Sequence, residues 1–313
     1  MSENENKVND RKKLPRQKPL SVLWWDMRTL PPLPPTVIEP IVNFALSEDF
    51  GVSGDLTANL LIPEKAQGSL VMRAREAGVI SGFQAAAMAY DKVDPSVNFE
   101  PQIKEGDVVK AGTIIAKISG PSRSLLSAER VALNFLGRLS GVASLTSQYV
   151  KLVADINVRI AATRKTTPGL RALEKQAVLA GGGFTHRESL AAAIMIKDNH
   201  IALAGGIDAA LGAIKANADH MTRVSVEVDT LEQLKRVLSY EPDVILLDNM
   251  GPQKLKEAVA IVDASDHRRP ILEASGGVNL KTVSNIAQSG IDVISIGALT
   301  HSAPNFDIGM DDA

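Results

Sequence analysis

Between Val158 and Gly297 six short apolar runs, VRIAAT, AIMIK, VSVEV, VILLD, ILEAS and VISIG, alternate with longer amphipathic stretches. The runs are near-continuously apolar, as strands covered on both faces are. TLEQLKRVLSY, GPQKLKEAVAIVD and NLKTVSNIAQSG, which lie between them, read as helices. A strand–helix alternation of roughly 20–35 residues per unit joins parallel strands through crossover helices. Six such strands either curl into a βα barrel or lie open as a doubly wound sheet.

Nearly every run ends in polar residues or glycine. Thr163, Arg164 and Lys165 close the first, and Lys197 and Asp198 the second. Glu227 and Asp229 close the third, Asp248 and Asn249 the fourth. Glu273 and Ser275-Gly276-Gly277 close the fifth, Gly297 and Ala298 the sixth. In parallel α/β folds the carboxyl ends of the strands face one rim, and that rim holds the active site. One terminal charge marks only where the chain leaves the core. Six polar ends in succession predict that these residues, far apart in sequence, converge in space.

The rest of the chain is organised differently. Residues 36–119 mix a short helix from Thr36 to about Leu46 with strand-like segments in SLVMRAREAGVISG and VNFEPQIKEGDVVKAGTIIAKISG, as expected of a small α+β unit. From Ser122 helical periodicity takes over for a long span, with an interruption predicted near Ser140-Gly141. A boundary near Ser119–Pro121 follows, giving domains at 36–119 and 120–313. Residues 1–35 are polar and proline-rich and read as an arm, with Trp24 and Trp25 as its packing residues. The arm lacks the pattern of a signal peptide, so a cytoplasmic location is expected.

Composition narrows the chemistry. With 313 residues, 45% of them hydrophobic, the chain can bury a large core. A net charge of −2 argues against a nucleic-acid binder, and no apolar run is long enough for a membrane span. There is no cysteine, so thiolate metal sites and cysteine nucleophiles are excluded. The predicted rim carries both signs. Arg164, Lys165, Arg187 and Lys197 suit carboxylates and phosphates, arginine as a bidentate fork and lysine as a point charge. His186, after the glycine turn at 181–183, joins them as a candidate contact. Glu227, Asp248 and Glu273 suit Mg²⁺, which takes oxygen ligands and bridges carboxylates to substrate phosphates. Glycines in Ser275-Gly276-Gly277 and Gly297-Ala298 let backbone N–H groups approach a phosphate. Together these residues predict an α/β enzyme taking an anionic substrate and a phosphorylated one, with Mg²⁺. Other polar residues are assigned to the surface: Arg171 and Lys175 at i, i+4 spacing as a solvated face, and Arg130, Asn134 and Arg138 along one helix face. His220, His267 and His301 show no partner pattern.

Seven segments in order, SAERVALNFLGRLSGVAS, ATRKTTPGLRALEKQAVLAGGGFTHR, IKDNHI, VEVDTLEQL, ILLDNM, EASGGV and ISIGALTHSAPNFDIGM, resemble quinolinate phosphoribosyltransferase (nicotinate-nucleotide pyrophosphorylase, carboxylating). Upstream, SEDFGVSGDLTANLLIP is similar to that family's N-terminal signature. The resemblance implies an α/β sandwich before an incomplete α/β barrel, in a homodimer that sets the sandwich of one subunit over the barrel of the other. It implies that quinolinate and phosphoribosyl pyrophosphate react with Mg²⁺ to nicotinate mononucleotide, pyrophosphate and carbon dioxide. By that resemblance Arg164, His186, Arg187 and Lys197 line the quinolinate pocket, Thr163 is a further substrate-binding residue, Lys165 lies near both substrates, and Arg130 reaches across from the partner. Glu227 and Asp248 match the acids near Mg²⁺ and the ribose. Ser275, Gly276, Gly277, Gly297 and Ala298 match the loops that hold the 5-phosphate. Glu188 departs from the pattern and adds a negative charge beside the pocket. Two alternatives remain at this stage: a paralogue with another acceptor acid, and a biotinyl or lipoyl carrier module, whose half-motif IKEGDVVKAGTIIAKI resembles, with Lys110 in the wrong setting.

Overall fold

The computed structural model describes residues 31–313, so the expectations for Trp24, Trp25 and most of the arm fall outside the described residues. Helix α1 (Pro35–Phe50) starts on a proline, whose missing N–H costs nothing in a first turn. It buries Ile38, Val42 and Leu46, a stripe at i, i+4, i+8. Asp55 caps α2 (Leu56–Leu61), accepting from the Ala58 N–H at 2.8 Å. Then come β1 (Gln67–Ala74), β2 (Gly78–Val79), α3 (Phe83–Val93), β3 (Asn98–Pro101), β4 (Val108–Val109) and β5 (Ile114–Pro121). The carrier-like segment is built into this unit. Glu105 accepts from the N–H groups of Gly82 (2.7 Å) and Phe83 (3.3 Å) at the start of α3, and β4 pairs with β2.

Helix α4 (Ser122–Leu152) follows without a break over 31 residues, which corrects the interruption expected at Ser140-Gly141. Both residues serve contacts rather than a bend. The Ser140 hydroxyl accepts from the Ser81 N–H at 3.0 Å. A Cβ on Gly141 would lie 1.9 Å from the Pro304 carbonyl oxygen, so only glycine lets the 304–306 segment cross the helix there.

The second half holds β6 (Arg159–Ala161), α5 (Arg171–Ala180), β7 (Ile194–Ile196), α6 (Asp198–Leu203), α7 (Ile207–Asn217), β8 (Val224–Val228), α8 (Leu231–Leu238), β9 (Val244–Asp248), α9 (Pro252–Asp263), β10 (Ile271–Ser275), α10 (Val283–Ala287), β11 (Val293–Ser295), α11 (Ala298–His301) and β12 (Ile308–Asp312). All six apolar runs become strands of one parallel sheet, in the order β6-β11-β10-β9-β8-β7. The first strand pairs with the last, so the sheet curls toward itself and stays open between β6 and β7. Phe184 partly fills that seam: its N–H donates to Ile160 O (2.8 Å) and its carbonyl accepts from Ala162 N (2.9 Å), a single parallel bridge beside β6. This is the incomplete α/β barrel of the expected fold class. Strand β12 leaves the barrel side and pairs antiparallel with β1, giving a second sheet of order β12-β1-β5-β3. The end of the chain thus belongs to the sheet begun near residue 67, and α4 lies between the two layers.

Candidate active site

Period-two alternation decides what faces the barrel interior. Ile245, Leu247, Leu272 and Ala274 are buried against the helices. Ser225, Val244, Ile271, Glu273 and Val293 line an interior cavity of about 310 Å³ toward the amino ends of the strands. Two residues beyond Ser225 and Glu273, and four beyond Val244, the same inward rows reach the carboxyl rim as Glu227, Ser275 and Asp248.

On one side of the rim the acids and lysines meet. Lys197, just past β7, forms a close ion pair with Glu227 on neighbouring β8. Asp248, at the end of β9, has its carboxyl held above the ordinary range, first by burial and then by the nearby Asp229; Lys197 and Lys165 pull it back. Asn249 Nδ2 donates to Asp248 Oδ2 at 2.6 Å, and the Asn249 N–H donates to Ser275 O at 2.9 Å. Asn249 takes a positive φ of 52° to do so. Beside it Gly276 has φ of +92°, and a Cβ there would sit 2.0 Å from Asn249 Oδ1, so this turn admits no other residue. The Lys165 side chain lies across Gly297, whose hypothetical Cβ would be 3.0 Å from Lys165 Cδ and 3.1 Å from the His301 ring. The Ser275–Gly277 turn and Gly297–Ala298 therefore share the rim with Lys165, and His301, expected to be incidental, is beside them.

On the other side lies a cluster of cations. The Arg187 guanidinium is held below its ordinary pKa, first by burial and then by neighbouring Arg164. It donates to Ala193 O at 2.9 Å. Arg164 Nε is buried and finds no hydrogen-bond partner among the described residues. His186 Nδ1 accepts from the Arg187 N–H at 2.8 Å, so the ring proton sits on Nε2, which lies 3.4 Å from Glu273 Oε2. His186 accordingly turns both ring nitrogens toward protein groups while its ring lines the same cavity as Arg187.

Three surface assignments are overturned. Lys175 is 2% exposed, and its ammonium donates to the carbonyls of His186 (2.6 Å) and Arg187 (2.7 Å), with Glu188 Oε1 at 3.2 Å. Arg171 donates to Thr166 Oγ1 (3.1 Å) and Glu188 O (3.1 Å). Arg138 donates to the fully buried Glu174 from Nε (3.0 Å) and Nη2 (2.7 Å), and to Ala303 O (3.0 Å). Glu174 in turn accepts from Thr167 N (3.0 Å) and Oγ1 (2.7 Å), which holds the loop carrying Arg164 and Lys165. The Thr163 hydroxyl accepts from the Lys165 N–H at 3.0 Å. Helical spacing showed that these residues share faces but not that the rim loops fold down over those faces. Arg130 is exposed on α4 and makes no hydrogen bond or ion pair among the described residues. Among the described residues no three His, Asp or Glu side chains cluster as a ready-made metal site.

Comparison with known proteins shows what the chain as a whole is similar to. Residues 55–140 match the model of the quinolinate phosphoribosyl transferase N-terminal domain, and residues 142–311 that of its C-terminal domain. The chain is 39% identical over 274 residues to a probable nicotinate-nucleotide pyrophosphorylase (carboxylating) of Bacillus subtilis, covering 88% of this chain and 93% of that one. It is 40% identical over 304 residues to the chloroplastic nicotinate-nucleotide pyrophosphorylase (carboxylating) of Arabidopsis thaliana, covering 90% and 84%. The crystal structure of NadC from Streptococcus pyogenes superposes with a TM-score of 0.84 at 38% identity, over 90% of this chain and 97% of that one. That of the Francisella tularensis nicotinate-nucleotide pyrophosphorylase does so with 0.84 at 33% identity, over 90% and 98%.

Proposed function

The chain belongs to the quinolinate phosphoribosyltransferase family, and from that membership we propose how its rim works. It is a decarboxylating phosphoribosyltransferase: quinolinate and phosphoribosyl pyrophosphate give nicotinate mononucleotide, pyrophosphate and carbon dioxide, a step of NAD synthesis. The observation that carries the pocket assignment is the Arg164–Arg187 pair, two adjacent guanidinium groups with one buried donor left unpartnered. A site that leaves such donors open is completed by an anion, and a planar dicarboxylate meets both forks.

Arg164 and Arg187, with Lys197 at the edge, hold the two carboxylates and orient the pyridine ring so that its nitrogen faces the ribose. Glycines 276, 277 and 297, with Ser275 and Ala298, cradle the 5-phosphate through backbone N–H groups. Lys165, lying across Gly297, meets the pyrophosphate side. As pyrophosphate leaves C1 of the ribose, positive charge grows on the sugar. Glu227 and Asp248 stabilise that charge. After the ring nitrogen is alkylated it is cationic and takes up the electron pair released with carbon dioxide, so no protein nucleophile is needed.

Mg²⁺ fits the same acids. Two carboxylates on neighbouring strands suit an ion that takes one or two protein ligands and shares the rest with phosphates. The repulsion from Asp229 that raises the Asp248 carboxyl is relieved by a cation there. Glu227 and Asp248 would hold it, and it would neutralise the leaving pyrophosphate. Arg130 completes the carboxylate pocket of a partner subunit in a homodimer. Its exposure and the absence of a hydrogen-bond or ion-pair partner for it among the described residues support that reading. Among the described residues no helix is long and apolar enough to cross a membrane, and a cytoplasmic setting is our proposal.

The test is a product assay with phosphoribosyl pyrophosphate, Mg²⁺ and either quinolinate or nicotinate. Nicotinate mononucleotide and carbon dioxide from quinolinate alone support the reading. Bound phosphoribosyl pyrophosphate with no product from either acid would instead identify a paralogue with a different acceptor. Mixed dimers of Arg130→Ala and Lys165→Ala subunits should regain activity at one site, and dead mixed dimers would refute the shared pocket.

A further inference from the structure

The best-buried cation among the described residues has its ammonium on the backbone of the carboxylate pocket rather than in the pocket itself. Lys175 projects from α5 under the segment that bridges the barrel seam. Its ammonium is surrounded by three acceptors, the carbonyls of His186 and Arg187 and the Glu188 carboxylate, at 2.6, 2.7 and 3.2 Å. A buried ammonium is costly unless every donor is satisfied, and here three donors meet three acceptors. The two carbonyls belong to consecutive residues of a segment with little regular pairing of its own. The only bridge in it is at Phe184, two residues earlier.

We propose that Lys175 is the positioning residue of the carboxylate pocket: its ammonium gathers the His186 and Arg187 carbonyls to one point and thereby aims the Arg187 guanidinium and the His186 ring into the barrel. The proposal rests on the functional reading above and assigns a role to two residues outside the pocket. Without the ammonium, two carbonyl dipoles less than a hydrogen bond from a common point repel each other, and the segment turns. Glu188 is the adjustable member. Its side chain is 56% exposed, whereas that of Lys175 is 2% exposed, so one partner can be altered at the surface without opening the core.

A pH dependence follows. The groups facing Lys175 are Arg171 on its own helix, Arg164 in the loop after β6, and His186, Arg187 and Glu188 on the seam segment. Glu174 and Arg138, on the α4 side, are spent on each other. Burial pulls the Lys175 ammonium below its ordinary pKa, Arg171 and Arg164 pull the same way, and Glu188 opposes them. The clamp is lost as pH rises through the Lys175 pKa, which burial sets below that of an ordinary lysine. Removing the Glu188 charge moves that loss to lower pH.

Steady-state kinetics of the full chain across pH test this with E188Q and K175M. In E188Q the alkaline fall of kcat/KM for quinolinate should begin at least about half a pH unit lower than in the wild type, while the profile for phosphoribosyl pyrophosphate stays in place. K175M should raise the KM for quinolinate about tenfold or more and that for phosphoribosyl pyrophosphate less than about twofold. Direct titration of the ammonium by NMR with ¹⁵N-labelled lysine, which needs no turnover, should give a lower midpoint in E188Q. Coincident alkaline limbs and midpoints in E188Q and wild type overturn the proposal, as do equal changes in both KM values in K175M. A wild-type protein that makes no nicotinate mononucleotide fails the functional reading instead, and the NMR titration still decides the role of Glu188.

Discussion

Replacing Arg138 by alanine leaves the Glu174 carboxylate fully buried with only the Thr167 N–H and hydroxyl, at 3.0 and 2.7 Å, to balance its charge. The lost partners are the two guanidinium bonds to Oε1, and the lost anchors are the Ala303 and Thr300 carbonyls on the far side of the rim. Breaking a buried pair from one side costs about 3–5 kcal/mol, because a charge is stranded rather than because the pair itself is worth that much. Removing both charges, as in R138M/E174L, strands nothing and should recover most of that loss. At roughly 1.5 °C per kcal/mol for a chain of 313 residues, R138A should melt about 5–8 °C below the wild type, and the double variant within about 2 °C of it. Thermal and urea unfolding followed by circular dichroism measure both. Activity separates structure from positioning: R138M/E174L regains stability but loses the hold of Glu174 on Thr167, so its turnover should remain low. An R138A protein within about 1 kcal/mol of wild type would refute the energetic argument. A stable double variant with full turnover would refute the claim that this pair places the Arg164–Lys165 loop.

Three further outcomes are expected. Arg164→Ala and Lys197→Ala should each abolish quinolinate binding by calorimetry with an unaltered circular dichroism spectrum, and unchanged binding in both would remove them from the pocket. Gly276→Ala places a Cβ 2.0 Å from Asn249 Oδ1 on a backbone at φ of +92°, so the KM for phosphoribosyl pyrophosphate should rise more than that for quinolinate; equal changes would mean the turn does not hold the phosphate. Because burial and Asp229 hold the Asp248 carboxyl above its ordinary value, activity that needs the carboxylate is lost on acidification earlier than an ordinary aspartate would dictate. Asp229→Asn removes one of the raising influences and should shift the acid limb of kcat/KM to lower pH, whereas an upward shift would show that Asp229 acts otherwise.

The sequence by itself determined the parallel strand–helix alternation and which residues close each strand, while whether the sheet curled or lay open was not readable from the runs themselves. Strand direction and period two are local properties, so six apolar runs that stop at Thr163, Lys197, Glu227, Asp248, Ser275 and Gly297 point those residues to one side wherever the strands lie. The special turn at Gly276 was readable for the same reason, since a glycine after a parallel strand has few uses. What only the tertiary structure decided is which polar residues are interior. Lys175 and Arg138 sit at spacings that suit solvent, and a helical pattern is the same whether water or a returning loop covers the face. The loop at 186–188 covers one and the 163–167 loop the other, and both contacts join segments that no local rule links. Gly141 has the same history: it reads as a helix break until the 304–306 segment, on its way to β12 and the first sheet, passes through the space its side chain would fill. Local chemistry sets the direction of each element, but burial is a property of the assembled chain.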